Sequence, residues 1–347
     1  MKTSWFKSLL FSLLISCLLF TLPTTAKASP SKTPGNNSCP EGMVFIPGGT
    51  FNIGDNEHYP SEHAAKDVTV NNFCLDQYEV TNAQFAKFVE ETDYLTIAER
   101  PLSQEQFPNL SEEERKPGSL VFQMAEPGAK KIGYLSWWKW TPGTDWRHPL
   151  GPESNIKEKE NYPVVQVAYK DVEAYAQWAG MTLPTEAQWE YAARGGLDDA
   201  TYSWGKQYSA KKANTWQGLF PVVNTKADGY KGTAPVGSFE PNGYGLYDIT
   251  GNVWEWTSDW YRTGHDQIAH SVNPTGPSEK ESFDPRDPTV AKHVIKGGSY
   301  LCAPNYCSRY RPAARESQSP DTGTTHIGFR LVKAIAPYGL VDLISNK

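Results

Sequence analysis

Between residues 197 and 335 the chain scarcely ever sustains a hydrophobic period, helical or strand-like, and turn residues interrupt its apolar runs. Glycine and proline, 28 and 26 in number, are spread without a repeat, which excludes a collagen-like chain and supplies many turns. Such a chain folds as α+β with short elements and much irregular backbone. It needs fixing points other than long elements. Buried Trp is one, and 12 are present; bound metal ions are another.

The periodic segments lie earlier. Met43 to Gly49 reads as a strand closed by a turn, and Val68 to Leu75 as a second strand. Thr81-Asn82-Ala83-Gln84 has capping-box spacing and opens a helix whose apolar face includes Phe85, Phe88 and Val89. Residues 95–162, rich in Pro and charge, read as a long surface excursion. Val164 to Ala168 predicts a strand, and Asp171 predicts a helix cap leading through Tyr175 and Trp178. Thr185-Glu186-Ala187-Gln188 is a second capping box, with its helix stopped by Gly195-Gly196.

The first residues read as a secretory signal. Lys2 and Lys7 precede the apolar stretch Leu9 to Leu22, and Ala26-Lys27-Ala28 offers a cleavage site. That stretch is shorter than the ~20 residues a span needs. Leu14-Ile15-Ser16-Cys17 resembles a lipobox, but the apolar run continues past it, favouring cleavage after Ala28. The expected organisation is 1–28 signal peptide, 29–41 flexible leader, 42–335 one domain and 336–347 a tail. Export to a periplasm, the medium or an ER lumen follows, with no stable membrane span after cleavage. Losing three lysines and no acids takes the net charge from −6 to −9, which argues against a nucleic-acid partner.

In the mature chain Cys39, Cys74, Cys302 and Cys307 remain, and four cysteines allow three connectivities. Cys302-Ala303-Pro304-Asn305-Tyr306-Cys307 is the sharpest local feature. In an oxidising compartment the plain reading is a structural disulfide. The other readings are a reactive pair or a soft-metal site, since two thiolates without a nearby His suit Cu(I). Asn214, Thr215, Asp228 and Tyr230 gather an amide, a carboxylate and carbonyls around a turn, and Asp248, Gly251, Val253 and Glu255 supply two carboxylates with carbonyls between. Such hard oxygen ligands suit calcium, although by spacing alone solvated turn residues are the better reading. The seven His read as surface or hydrogen-bonded residues, with no zincin spacing.

Several longer motifs carry a resemblance. They are Leu183-Pro184-Thr185-Glu186-Ala187-Gln188-Trp189-Glu190-Tyr191, Asn242-Gly243-Tyr244-Gly245-Leu246-Tyr247-Asp248, Gly251-Asn252-Val253-Trp254-Glu255-Trp256, Gly297-Gly298-Ser299-Tyr300 and Gly328-Phe329-Arg330. Together they resemble the formylglycine-generating enzyme family, the sulfatase-modifying factors, over about residues 42–333. Ala213-Asn214-Thr215-Trp216-Gln217-Gly218 and Cys307-Ser308-Arg309-Tyr310-Arg311 look like its stricter enzyme branch.

The resemblance implies a C-type-lectin-like fold with little regular secondary structure and two calcium sites. It implies an oxidase that converts a cysteine of an unfolded sulfatase polypeptide, within Cys-x-Pro-x-Arg, to Cα-formylglycine with O2. By motif position Cys302 and Cys307 would be copper ligands and catalytic pair, with Ser299 and Trp254 lining the pocket. Asn214, Thr215, Asp228 and Tyr230 would hold one calcium, and Asp248, Gly251, Val253 and Glu255 the other. Cysteines of vertebrate members are replaced here by Ala176, Ala193, Pro312 and Leu331, so those bridges are absent. Cys39 and Cys74 are extra; they bracket the first strands and are paired here as a disulfide. The competing readings are a non-catalytic lectin-like binding module and a maturation oxidoreductase of the same superfamily with another substrate. A non-haem iron sulfoxide synthase is disfavoured, because no His-rich helical domain is visible.

Overall fold

The computed structural model describes residues 39–105, 107–125 and 134–335; the signal segment, most of the leader and the tail lie outside these residues. Strands β1 (Met43–Ile46), β2 (Gly49–Ile53), β3 (Ala65–Val70) and β4 (Phe73–Asp76) come first, then helix α1 (Asn82–Thr92). The middle of the chain holds β5 (Gly118–Phe122), the single turn α2 (Tyr134–Trp137) and β6 (Trp138–Pro142), followed by α3 (Tyr169–Trp178) and α4 (Glu186–Arg194). The remainder has only β7 (Trp254–Trp260), β8 (His293–Lys296), β9 (Arg315–Gln318), β10 (Ile327–Gly328) and β11 (Val332–Ala334) apart from short 3-10 turns. The loop-rich half is thus as irregular as its sequence predicts.

β4 pairs antiparallel with both β1 and β11, tying the start of the domain to its end. A second sheet runs β10-β7-β8-β9, with β10 parallel to β7 and the other pairs antiparallel. β2–β3 and β5–β6 are separate antiparallel pairs. Both capping boxes form: Gln84 N donates to Thr81 Oγ1 while Gln84 Oε1 accepts from Thr81 N, and Thr185 and Gln188 repeat the arrangement. Phe85, Phe88 and Val89 of α1 are buried against Val172 and Tyr175 of α3, in a core shared with Trp254 and Trp256. α4 presents Trp189, Ala192 and Ala193 to the apolar side chains of β1 to β4.

The structure corrects four local expectations. The run from Val68 to Leu75 is two strands, because the chain turns at Asn71-Asn72, where Asn72 Oδ1 accepts from Gly48 N at 2.7 Å. Val164 to Ala168 is not a strand: Val164 N donates to Val80 O but Gln166 N donates to Thr324 O, and Gln166 has φ of 64°. Its apolar run reports burial, which a strand and an irregular buried segment share. Asp171 is not the first cap of α3 but sits in its first turn, where its carboxylate accepts from Ala168 N and Ile97 N, both at 2.9 Å. Residues 95–162 are more than a surface excursion, since they contain β5 and β6 and bury Trp137 and Trp146.

Cys39 and Cys74 are joined in a disulfide, with Cys74 on β4. Among the described residues no helix is long and apolar enough to cross a membrane.

Candidate active site

Cys302 and Cys307 sit on an irregular loop that follows β8, and both are buried and unjoined. The loop is held by its backbone. Cys302 N donates to Ser299 O at 2.9 Å, Cys307 N donates to Ala303 O at 2.7 Å, and Cys302 O accepts from Trp216 N at 2.9 Å. It must pass tightly at Gly298 (φ 73°), where a Cβ would lie 2.9 Å from Arg309 O. Bringing residues 298 and 309 this close turns the chain back on itself.

The two thiols are hydrogen-bonded to each other. That bond, helped by the Arg309 guanidinium, holds Cys307 below the usual thiol range, while burial pushes Cys302 well up. The pair therefore carries one thiolate more readily than two. They open on a cavity of about 630 Å³ lined also by Ser299, Trp254, Trp137, Phe220 and Tyr306. Ser299 and Trp254 thus reach the same cavity as the two thiols. Phe220 stacks on Tyr306 at 4.3 Å and meets Trp137 edge-on at 5.5 Å, making a rigid apolar wall. His326 is in the cavity too, its ring tilted against Trp138 at 4.9 Å and its Nδ1 2.7 Å from Thr324 Oγ1. Burial lowers His326 to about 3, so it is neutral at ordinary pH.

A donor set of two soft, buried sulfurs with a mutual hydrogen bond fits a soft cation such as Cu(I), and it lacks the four ligands of a structural zinc.

The eight oxygen-rich positions fall into two adjoining groups, in loops except for Glu255 on β7. Asp228 accepts from Thr215 N at 3.0 Å and from Tyr230 N at 3.1 Å, which gathers three of the first four residues around one carboxylate. Asn214 Nδ2 donates to Gly232 O and to Asn252 Oδ1. In the second loop Asp248 Oδ2 accepts from Gly237 N, whereas Asp248 Oδ1 is buried without a partner. Gly251 has φ of 88°, and a Cβ there would lie 2.6 Å from Asn214 O, so only glycine lets the two loops touch.

Sequence reasoning missed Glu79. Its carboxylate is buried, its Oε2 is unpartnered, and burial and then the Asp248 charge push it well above the usual range, while Asp248 itself is pushed up to about 6. Two buried carboxylates with an orphaned oxygen each fit a divalent, oxygen-seeking cation. Glu255 is differently engaged: Oε2 accepts from Trp189 Nε1 and Arg330 Nε, and Oε1 from Arg330 Nη2 at 2.8 Å. Each carboxylate oxygen has two acceptor directions, so Oε1 keeps one. The signal for Glu79 was absent from spacing, because it lies 169 positions before Asp248. Two further carboxylate–His groups, Asp55/His58/Glu62 and Glu186/Glu190/His265, are ion-pair centres, since Arg311 pairs with Asp55 and Glu62, and Lys296 and Arg315 pair with Glu186.

The loops and the thiols are mechanically continuous. Gly251 N donates to Gly297 O and Tyr300 N to Asn252 O, so the second oxygen-rich loop fixes the segment leading into Cys302. Trp216, next to Thr215, fixes Cys302 O from the other side.

Comparisons with known proteins bear on the family of the chain. The model of the sulfatase-modifying factor enzyme 1-like domain matches residues 27–335. The formylglycine-generating enzyme of Mycobacterium tuberculosis is 49% identical over 293 residues, 84% of this chain and 97% of that protein. That of Mus musculus is 46% identical over 295 residues, covering 83% and 74%. Among solved structures, PvdO from Pseudomonas aeruginosa superposes with a TM-score of 0.59 at 24% identity, over 84% of this chain and 94% of that one, a likeness of fold.

Proposed function

The chain belongs to the formylglycine-generating enzyme (sulfatase-modifying factor) family, and from that premise we propose that it converts a cysteine of a sulfatase polypeptide, within Cys-x-Pro-x-Arg, to Cα-formylglycine. The observation that carries this reading is the pair of buried, unjoined thiols of Cys302 and Cys307 at an aromatic-walled cavity.

Cys302 and Cys307 would hold copper(I), which when bound supplies a centre that takes up a substrate thiolate and O2. The chain's own residues set up the rest. Cys307, with its lowered proton affinity, is the first thiolate, and Cys302 loses its proton when a cation compensates its burial. Trp137, Phe220 and Tyr306 give the reacting sulfur and carbon an apolar aromatic wall on one side. Ser299 and Trp254 line the place where the substrate cysteine would lie; with O2 as oxidant and an external thiol reductant supplying the second electron pair, its Cβ would become the aldehyde, its sulfur leaving as sulfide and one oxygen atom ending in water. Calcium at Asn214, Thr215, Asp228 and Tyr230, and at Asp248, Gly251, Val253 and Glu255 with Glu79 added, would lock the loops that hold Cys302. The Cys39–Cys74 disulfide supports export, since such bonds persist in oxidising compartments. A substrate polypeptide must then meet the enzyme there before it folds.

The test is direct. Mature protein incubated with copper, reductant and a Cys-x-Pro-x-Arg peptide should consume the peptide thiol and yield an aldehyde by mass. A peptide that keeps its thiol under these conditions overturns the reading.

A further inference from the structure

We propose that a second cavity, distinct from the one holding the thiols, receives a flank of the same polypeptide substrate, an extended segment carrying apolar and basic side chains. This rests on the function proposed above. The cavity measures about 1240 Å³, roughly twice the first, and nothing in the reaction at Cys302 and Cys307 uses it.

Its position makes it a continuation of the reaction site. Trp138 lines the first cavity and Trp140 the second. They are two residues apart on β6, so they share a face and lie about 7 Å apart along the strand. Leu120, opposite Trp140 on β5, lines both cavities. The same step occurs on β8, where Ile295 lines the first cavity and His293 the second. Two separate strands thus lead from one cavity into the other. An extended polypeptide crossing the first needs only about two more residues, at ~3.3 Å each, to enter the second.

Its chemistry selects the occupant. Trp140, Trp260, Tyr169 and Phe107 give it aromatic walls. His293 is clamped between the rings of Tyr169 at 3.5 Å and Trp260 at 3.8 Å, so this wall is rigid before anything binds. Five carboxylates, Glu113, Glu114, Glu173, Glu279 and Asp321, face two cations, Arg100 and Lys170. All five acids are exposed. An acidic rim over aromatic walls favours a basic, apolar chain and gives a neutral saccharide no electrostatic gain.

Binding, measured by fluorescence anisotropy, tests this without turnover. Three labelled peptides with the reactive cysteine replaced by serine would be used: the Cys-x-Pro-x-Arg core alone, and the core extended by about ten residues containing Leu, Trp and Arg on its N-terminal or its C-terminal side. One extended peptide should bind about tenfold more tightly than the core. That gain should vanish in Trp140→Ala and in the combined surface variant Glu173→Gln, Glu279→Gln, Asp321→Asn, while affinity for the core stays as in the parent. The surface variant changes only exposed side chains, so its fold is not at issue. If neither extension improves binding, or the gain survives both variants, the inference is wrong. Failure of the proposed reaction looks different: the core peptide with its cysteine would yield no aldehyde, whether or not the extension binds.

Discussion

Asn252 donates its side-chain amide to Glu79 Oε1 at 2.9 Å, joining two residues 173 positions apart. Its Oδ1 accepts from Asn214 Nδ2 at 3.0 Å and Ala234 N at 2.8 Å. One buried amide thus links both oxygen-rich loops to the carboxylate that the sequence left unmarked. Asn252 also has φ of 52°, a conformation that Asn tolerates better than most residues.

Asn252→Ala should therefore be costly, by about 3 kcal/mol, because it strips a partner from a buried carboxylate and strains the backbone. If the loops bind calcium, a strong chelator should lower the parent's melting temperature, and Asn252→Ala should blunt that response. Thermal denaturation with and without chelator, with metal analysis of the purified protein, checks both. An unchanged melting temperature and no calcium would remove the ion from the account.

Cys302→Ser and Cys307→Ser should each abolish aldehyde formation while leaving the fold intact by circular dichroism. One remaining thiolate holds Cu(I) poorly against competing thiols. Oxidation of the pair to a disulfide should also silence the enzyme until it is reduced, and copper, not zinc, should restore apo-protein. A folded Cys302→Ser protein working at the parent rate would refute the two-thiol site.

The Cys39–Cys74 bond closes a loop of 35 residues and ties the start of the domain to β4. Replacing both by Ser should lower stability by about 3–4 kcal/mol on the chain-entropy account, read as a urea midpoint shift. Activity per folded molecule should be unchanged, since the bond is remote in role from Cys302.

His293 gives a pH dependence with a definite sign. Burial lowers it to about 4 from an unfolded value of 6.5, so between these limits the unfolded chain binds the extra proton. Stability contributed at this site is whole above pH 6.5 and is lost as pH falls toward 4, by about 3 kcal/mol in all. His293→Phe, which keeps a ring between Tyr169 and Trp260, should flatten the acid side of the stability profile over that window. An unchanged slope would place the acid sensitivity elsewhere.

The sequence by itself determined a good deal. Both capping boxes stand where Thr81 and Thr185 announce them, because a cap is a local contract between residues three apart. The aperiodic stretch after residue 197 indeed holds few regular elements, and the Cys39–Cys74 pairing is as expected. The motif residues Cys302, Cys307, Ser299 and Trp254 do meet at one cavity. What only the tertiary structure decided is everything that depends on distant partners. Val164 to Ala168 has the composition of a strand, yet its backbone bonds go to Val80 and Thr324, which no local pattern names. Glu79 became part of a buried carboxylate group only when the fold set it against Asp248 and Asn252. The stretch of 95–162 looked like solvent-facing loop because charge and proline dominate it, whereas its Phe107, Trp137, Trp138 and Trp140 form cavity walls. Local propensity is written in near neighbours; burial, ion pairing and the shape of a cavity are written in contacts between segments that the sequence keeps far apart.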